Sequence, residues 1–398
     1  MKLKTIGGCV LGAASVMSSG AMAQSSLALY GLIDTGIAYV NNQKGSSNFS
    51  MVQGVKNGSR WGFDGTEDLG GGNHAIVTME GGFNSLTGAA GASGYVFNRQ
   101  VFVGLKNDSY GTITAGRQYT PWFYTVGALS GLGGATPLTG WTGAHPGDID
   151  AMDTGLRINN SIMYESPDMA GLSARAMYAL GGIAGRSGAG SVTSGSLMYT
   201  YGSFQGAVGF NILKNNSANI VNSPTLGNYS TSAINGGYLS ANSVRMFGGS
   251  GRYTIGNLLV GVSVSNVAFL PGGQSLFLDE AVFNTAGVFS AYRTGAMLWG
   301  AGLAYTHASR ANGITDSANY KQISLGQLYS LSKRTRLYGV EAFQQASGKT
   351  LYAPSSSALV PATPVIQDAV ASVGDGQNST PSSGPRQFVI GFGIQHTF

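Results

Sequence analysis

The feature that most constrains the fold is a repeated pair of apolar-alternating runs joined by a tight turn rich in Gly, Asn or Asp. Residues 59–83 and 99–118 show it clearly, with turns at 68–72 and 107–111. Alternation with a period of two is typical of β-strands that have two unlike faces, and such turns are typical of hairpins. Counted along the whole chain, the pattern predicts 16 strands.

The connections between the strands alternate in length. Short turns are followed by long segments rich in Ser, Asn, Gly and Ala, at residues 41–58, 85–98, 181–193, 214–243, 266–280 and 344–385. Transmembrane barrels of bacteria have short turns at one end and long loops at the other. A soluble all-β sandwich or solenoid is the alternative, but a sandwich has no reason to sort its connections so regularly. The sequence therefore predicts an all-β fold, a 16-stranded antiparallel transmembrane β-barrel over residues 24–398.

The composition agrees with this fold class. Only 10% of the residues are charged and 63 of 398 are glycine, yet no apolar run is long enough for a membrane-spanning helix. In the last strand, Phe388, Ile390 and Phe392 share one face, whereas Gly391 and Gly393 share the other. An apolar outer face and a small or polar inner face predict a wet lumen inside a closed barrel.

The first 23 residues have the pattern of a secretory signal peptide. Lys2 and Lys4 precede a short apolar segment, and Ala21 and Ala23 frame a small-residue cleavage site. Cys9, the chain's one cysteine, lies within this segment. The mature chain is therefore expected to be exported and to contain no disulfide.

The connection at about residues 119–155 is unusual because it is long and has no clear helix or strand pattern. It contains Trp122, Phe123, Tyr124 and Trp141, so it is too apolar for a solvated linker, and its later half carries three acids, Asp148, Asp150 and Asp153. A loop of this composition needs a surface to lie against. We expect it to fold into the barrel and to narrow the lumen.

Several charged side chains are expected to face the lumen. Strand parity directs Arg60, Glu80 and Arg157 inward, with Arg175 as a further candidate. Arg99 shares parity with outward valines, but it sits at the start of its strand near the long-loop end, so we also expect it to point inward. Parity directs Arg117 outward, although it lies where its strand ends, and it is kept as a possible pore-lining residue.

These charges allow two interpretations. They are either solvated wall charges paired with nearby acids, or a basic ladder of Arg60, Arg99 and Arg157 that faces Glu80 or the acids of the long loop. Rings of side-chain charge set the ion preference of a pore, and opposed charges orient polar solutes. The second interpretation predicts a pore constriction formed by these residues.

The sequence does not indicate an enzyme or a nucleic-acid-binding protein. Its four histidines are scattered, it has no nucleophile-elbow, phosphate-loop or dinucleotide motif, and it has no basic run. We expect no metal, no cofactor and no nucleic-acid partner. A catalytic site could assemble from separate strands without a local motif, so an outer-membrane barrel hydrolase is kept as an alternative.

Several segments resemble the general porins of Gram-negative bacteria, most closely the β-proteobacterial branch. They are SRWGFDGTEDLGGG, FNRQVFVGL, GTITAGRQY, RINNSIMYESPDMAGL, LYSLSKRTRLYG and the terminal IGFGIQHTF. The resemblance covers nearly the whole mature chain. It implies an outer-membrane channel for the passive diffusion of ions and small hydrophilic solutes, with the third long loop as its constriction.

The resemblance also implies roles for individual residues and partners. The family's pore arginines correspond to Arg60, Arg99 and Arg157, its pore glutamate to Glu80, and its aromatic assembly signal to Phe398. The implied partners are two further copies of the chain, outer-membrane lipid and lipopolysaccharide. We expect a mild anion preference. A substrate-specific porin is the alternative, since the aromatic residues of the long loop could form a path for a solute.

Overall fold

The computed structural model describes residues 25–153, 156–214, 234–353, 363–375 and 381–398, so the expected signal peptide at 1–23 lies outside the described residues. The strands are β1 (Ser26–Gln43), β2 (Ser46–Gln53), β3 (Arg60–Gly70), β4 (Asn73–Gly82), β5 (Gln100–Asn107), β6 (Gly111–Tyr119), β7 (Arg157–Glu165), β8 (Leu172–Ala179), β9 (Val192–Tyr201), β10 (Phe204–Lys214), β11 (Ser243–Ile255), β12 (Leu258–Leu270), β13 (Ala281–Thr294), β14 (Met297–Ala308), β15 (Asn319–Ser330), β16 (Thr335–Ser347), β17 (Lys349–Tyr352), β18 (Val365–Asp368) and β19 (Arg386–Thr397).

Helical structure in these residues is limited to a run at 121–129, whose middle part Phe123–Gly127 is a π-helix, and to single turns at Gly140–Gly143, Pro146–Asp148 and Gly236–Tyr238. In the described part of the chain, no helix has the length and apolar character needed to cross a membrane.

The large sheet closes on itself as an antiparallel barrel. β1 pairs with β19 from Leu32–Thr397 to Val40–Val389, which joins the two ends of the chain. On its other edge β1 pairs with β2 through Thr35–Gln43 and with β3 through Ser26–Leu32. Because β2 and β3 act as one interrupted barrel strand, the 17 strands of the sheet form a barrel of 16, which confirms the predicted fold class and strand count.

The predicted long loop at 41–58 is wrong. β1 continues to Gln43, the chain turns at Lys44 and Gly45, and β2 runs back to Gln53. This hairpin is rich in Asn, Gln and Ser, so the alternation of apolar and polar residues that marks the other strands is weak there. The strand breaks at residues 54–59, and this break buries the side chain of Lys56.

The lumen is packed on one side rather than wet throughout, which corrects the sequence-based expectation. Tyr238 lies 5.4 Å, ring centroid to centroid, from both Phe269 and Phe277, and 5.7 Å from Phe283. Ile149 of the long connection belongs to the same buried cluster. Burial of these apolar side chains stabilises the inward-folded segments against the wall.

Inward-facing glycines make a shallow channel in the wall in which the connection between β6 and β7 lies. A Cβ atom on each would come within about 3.1 Å of a side chain of that connection, in the pairs Gly248–Trp122, Gly287–His145, Gly300–Pro137, Gly302–Leu138 and Gly391–Trp141. We call these five residues the glycine groove. Their missing side chains allow the connection to follow the wall from β11 to β19.

Candidate permeation site

A cavity of about 370 Å³ lies between the β2–β7 side of the barrel and the connection that joins β6 to β7. We call it the throat. Its charged lining residues are Lys56, Arg60, Arg99, Arg117, Arg157, Asp153 and Asp375. Five of these side chains are cationic and two are acidic, so the throat combines an excess of positive charge with a small acidic patch.

Glu80 orders two of the arginines. Its carboxylate lies 2.6 Å from Arg99 Nε and 4.0 Å from Arg60 Nη1, and it accepts a hydrogen bond from the Tyr30 hydroxyl at 3.2 Å. Arg99 also donates to the Tyr119 hydroxyl at 2.8 Å. The Glu80 side chain is only 5% exposed, whereas that of Arg60 is 21% exposed. Glu80 therefore sits behind the arginines and offsets part of their charge.

Arg60 and Arg157 lie where strand parity placed them, on the inside of the barrel. Arg60 Nε donates to the Gly58 carbonyl at 2.9 Å, which ties it to the break between β2 and β3. The guanidinium carbon of Arg157 lies 5.4 Å from the centre of the Tyr119 ring. An arginine over an aromatic face is attracted by the ring's quadrupole, which fixes the position of the cation.

Arg117 also lines the throat, and the parity argument that directed it outward is wrong. The pairing of β6 with β7 shifts register between Gly116 and Gln118, and Gly116 has a φ of +143°. A bulge of this kind redirects the side chains that follow it. Arg117 Nη1 then donates to Asn159 Oδ1 at 2.7 Å, across the strand pair.

Arg175 lies inside the barrel but not among the lining residues of the throat. Its guanidinium donates to Glu165 at 2.5 Å and to the Tyr124 carbonyl at 3.3 Å, and it stacks 4.9 Å from the centre of the Tyr124 ring. These contacts hold the start of the connection against β7 and β8.

The acids of the connection do not lie together. Asp153 lines the throat, whereas Asp148 and Asp150, which the sequence also placed at the constriction, are 2% and 0% exposed and are not among its lining residues. Asp148 accepts the backbone N–H of Asp153 at 3.0 Å. Periodicity cannot separate these three acids, because their directions depend on the single turns of the folded connection.

Asp150 is part of a buried anchor. One of its carboxylate oxygens lies 2.5 Å from His145 Nδ1 and accepts the Ser265 hydroxyl of β12 at 2.5 Å. Burial lowers the pKa of His145, but the adjacent Asp150 charge and hydrogen bond outweigh it, so the pKa is raised. Burial likewise raises the pKa of Asp150, and His145 more than compensates by lowering it. The pair is therefore an ion pair that fastens the connection to the wall.

Sequence reasoning missed two charged residues of the throat, Lys56 and Asp375. Lys56 Nζ donates to the carbonyls of Thr136 and Leu138 at 3.1 and 3.0 Å, so it bridges the β2–β3 break and the connection. Lys56 was not recognised as a throat residue because it lies within residues 41–58, which were expected to form a surface loop. Asp375 lies in the last long loop, and no local pattern indicates that this loop turns inward.

Aromatic side chains of the connection contribute unequally. Phe123 lines the throat and stacks on Tyr119 with ring centroids 4.5 Å apart. Trp122 is fully buried and donates its indole N–H to the Asp150 carbonyl at 2.9 Å, and Trp141 is 1% exposed. Among the residues the structure describes, no group of three or more His, Cys, Asp or Glu side chains is placed to hold a metal ion.

Comparison with known proteins identifies the family. The family model described as Gram-negative porin matches residues 10–349. An outer membrane porin protein of Bordetella pertussis is 39% identical over 166 residues, which are 38% of this chain and 42% of the relative. Outer membrane porin protein 32 of Delftia acidovorans is 36% identical over 41% of this chain and 46% of the relative. These alignments span less than half the length of either relative.

Solved structures agree with the fold. The anion-selective porin from Comamonas acidovorans has a TM-score of 0.66 at 23% identity, over 94% of this chain and all of that one. The trimer form of OmpT from Vibrio cholerae has a TM-score of 0.62 at 17% identity, over 94% of this chain and 99% of the other. With a family match over most of its length and this closed barrel, the chain belongs to the Gram-negative porin family and is an outer-membrane protein.

Proposed function

We propose that this chain forms a water-filled channel through which small anions and other small hydrophilic solutes diffuse passively, with a mild preference for anions. The observation that carries the proposal is the lining of the throat, where Lys56 and four arginines face Asp153 and Asp375. Fixed cations concentrate mobile anions and repel mobile cations in a confined aqueous space. Glu80 and the two aspartates oppose this field, which keeps the preference mild.

In this proposal the connection at 119–155 is the constriction loop. Support comes from its course along the glycine groove and from its anchors, which include the Asp150–Ser265 hydrogen bond and the bond from Gln322 Nε2 to the Thr142 carbonyl at 3.0 Å. Anchors on several strands keep a loop inside a barrel. Arg60, Arg99 and Arg157 would then form the basic side of the constriction and Asp153 its acidic side.

We propose that the assembled form is a homotrimer in contact with outer-membrane lipid and lipopolysaccharide. The outward faces carry exposed apolar side chains such as Leu27, Val262 and Val264, which suit lipid or a second barrel. Phe398 is placed beside β1, where its backbone exchanges hydrogen bonds with Gly31 at 3.0 and 3.2 Å. The resemblance of the segment IGFGIQHTF to general porins supports Phe398 as the assembly signal.

Transport through such a channel needs no chemical step and no cofactor. The hydrolase alternative requires a nucleophile that donates to a histidine base. His145, Asp150 and Ser265 do converge, but the Ser265 hydroxyl donates to the carboxylate and not to the imidazole, and Asp150 is fully buried. This geometry supports an anchor rather than a hydrolytic centre.

A substrate-specific channel is the second candidate. It is favoured by the Tyr119–Phe123 stack beside the arginines, because aromatic faces and cations together suit a planar anionic solute. Saturation of anion flux with rising solute concentration would distinguish it from a general channel, in which flux rises in proportion to concentration.

The direct test is single-channel recording of the purified, refolded protein in planar bilayers, together with swelling of liposomes in sugars of increasing size. We expect large conductance steps that occur in groups of three and swelling that declines gradually with sugar size. A correctly folded barrel that neither conducts nor supports swelling would overturn the proposal.

A further inference from the structure

The last long loop enters the lumen and is fastened there. Residues 369–375 follow β18, and Ala371 and Val373 are fully buried. The Ser372 N–H donates to Gln344 Oε1 at 2.7 Å, and Gln344 Nε2 donates back to the Ser372 carbonyl at 3.0 Å. The Val373 N–H donates to Gln387 Oε1 at 2.8 Å. Two glutamines of the barrel wall, from β16 and β19, therefore provide this segment with the backbone hydrogen bonds that a neighbouring strand would otherwise provide.

The same segment touches the constriction loop. The Asp375 N–H donates to the Gly140 carbonyl at 3.1 Å, and the Gly147 N–H donates to the Gly374 carbonyl at 3.0 Å. Gly374 has a φ of +74°, and a Cβ there would collide with the Trp141 carbonyl. Glycine is required both by this backbone conformation and by the close approach. The two loops thus form one continuous surface on the far side of the throat.

The two loops meet at a pair of carboxyl groups. Both Asp153 and Asp375 line the throat. They meet at Gly140, because the Asp375 N–H donates to the Gly140 carbonyl and the Asp153 carboxylate occupies the space that a Cβ on Gly140 would fill. An ionised carboxylate only accepts hydrogen bonds, so two neighbouring carboxyl groups can be joined by a hydrogen bond only when one of them keeps a proton. Two carboxyl groups that share a site resist ionising together.

Neighbouring charges act on this pair from three elements. Burial raises the pKa of Asp153 well above its usual range, with further increases from Asp375 and from Asp148 of the constriction loop, while Lys56 of the β2–β3 break opposes them. On the facing wall, the charge of Arg157 also interacts with Asp153. The cationic Lys56 therefore opposes the increase caused by burial and by the neighbouring carboxyl groups but does not cancel it.

We propose that Asp375 is a selectivity-determining residue, and that it shares one proton with Asp153 so that the pair acts as a single negative charge opposite the arginines. The inference rests on the proposed channel function and deepens it. A single neutralisation leaves the other aspartate free to ionise, so the charge of the pair is unchanged. Only the double neutralisation removes it.

The test compares wild type, Asp153→Asn, Asp375→Asn and the double variant by reversal potential in a salt gradient at neutral pH. We expect both single variants to match wild type and the double variant to have an anion-to-cation permeability ratio about twofold higher, as one charge several ångströms from a hydrated path would give. If Asp375→Asn alone raised the permeability ratio as much as the double variant, the two aspartates would not share a single charge. If the double variant left the ratio unchanged, the pair would not act on ions in the throat.

A second readout does not depend on conduction. The mature chain is expected to contain no cysteine, so Asp153→Cys with Asp375→Cys can be cross-linked in the folded barrel by a short bis-maleimide, which alkylates both thiols. We expect efficient cross-linking, and none in the matched pair Asp153→Cys with Asp279→Cys, because Asp279 lies in an exposed loop. Equal cross-linking of both pairs, or none in either, would contradict the docked loop. Cross-linking without any conductance would instead reject the channel function.

Discussion

The two sides of the lumen have opposite chemistry. The β2–β7 side presents arginines to a cavity, with Arg60, Arg99, Arg117 and Arg157 all among its lining residues. The β9–β16 side is covered by inward-folded loops, and its inner face consists largely of small or neutral residues such as Ser265, Gly300 and Gln322. The difference indicates that loops fill one half of the barrel and that fixed charge is concentrated in the other half.

The comparison also explains the glycine content. On the covered side, a side chain in the glycine groove would collide with the constriction loop, whereas on the open side the long cationic side chains line a cavity. Both the glycine groove and the position of the arginines therefore follow from the way the loops fill only one half of the barrel. Filling the glycine groove on the covered side should lower the stability of the barrel. Removing arginines on the open side should change the ion preference.

The largest expected effect comes from filling the glycine groove. In Gly300→Val the Cβ would lie 2.5 Å from Pro137 Cδ, so the constriction loop must move or the wall must strain. We expect the free energy of unfolding to fall by about 3 kcal/mol. Urea unfolding in lipid would measure it. Gly251→Val is the matched control, because its nearest neighbour, the Gln205 carbonyl oxygen, is 3.7 Å away. Equal stability of the two variants would contradict a tightly seated loop.

Lys56 joins the two sides of the lumen, so its removal should lower both the stability of the barrel and its anion preference. In Lys56→Met the carbonyls of Thr136 and Leu138 lose their charged donor. We expect a loss of about 2 kcal/mol in unfolding free energy, since hydrogen bonds to charged groups contribute that order, together with a lower anion preference. Thermal unfolding and reversal potential would measure these, with Lys333→Met in an exposed turn as control. Unchanged stability and unchanged ion preference in Lys56→Met would show that the hydrogen bonds of Lys56 do not hold the constriction loop.

Reversing one charge of the open side should change selectivity without unfolding the barrel. Arg157→Glu replaces a cation of the throat with an anion, and we expect the anion-to-cation permeability ratio to fall on the order of tenfold. Arg334→Glu, in an exposed turn outside the throat, should leave the ratio unchanged. The idea of a basic ladder fails if the two variants behave alike while both remain folded.

The smallest expected effect is a pH dependence. Burial, Asp375 and Asp148 raise the pKa of Asp153, so the folded protein keeps a proton that the unfolded chain has already lost. As pH rises through this raised pKa, the pair gains a second negative charge. The anion preference should then fall about twofold, and the unfolding free energy should fall with it, because the folded state binds more protons. Reversal potentials across a pH series would measure this, and Asp153→Asn should lack the step.

Periodicity and turn chemistry were sufficient to predict the barrel, its strand count and the inward direction of Arg60, Glu80 and Arg157. They failed where the backbone departs from a regular strand. Arg99 precedes β5, so strand parity does not govern it, and Arg117 follows a bulge that parity cannot detect.

Contacts between distant loops were beyond sequence reasoning for a different reason. Asp375 and Asp153 are far apart along the chain, and their meeting depends on glutamines in β16 and β19 that hold the last loop. Neither glutamine differs, in sequence, from any other inward polar residue. The packed half of the lumen was missed for the same reason, since its aromatic cluster joins strands to loops that were expected to be solvated.

The most direct test of the account is the reversal potential of the wild-type channel in a potassium chloride gradient at neutral pH. The excess of cations in the throat predicts a potential whose sign reports a mild preference for chloride over potassium. A clear preference for potassium would contradict the central claim that the arginines of the open side set the field of the pore.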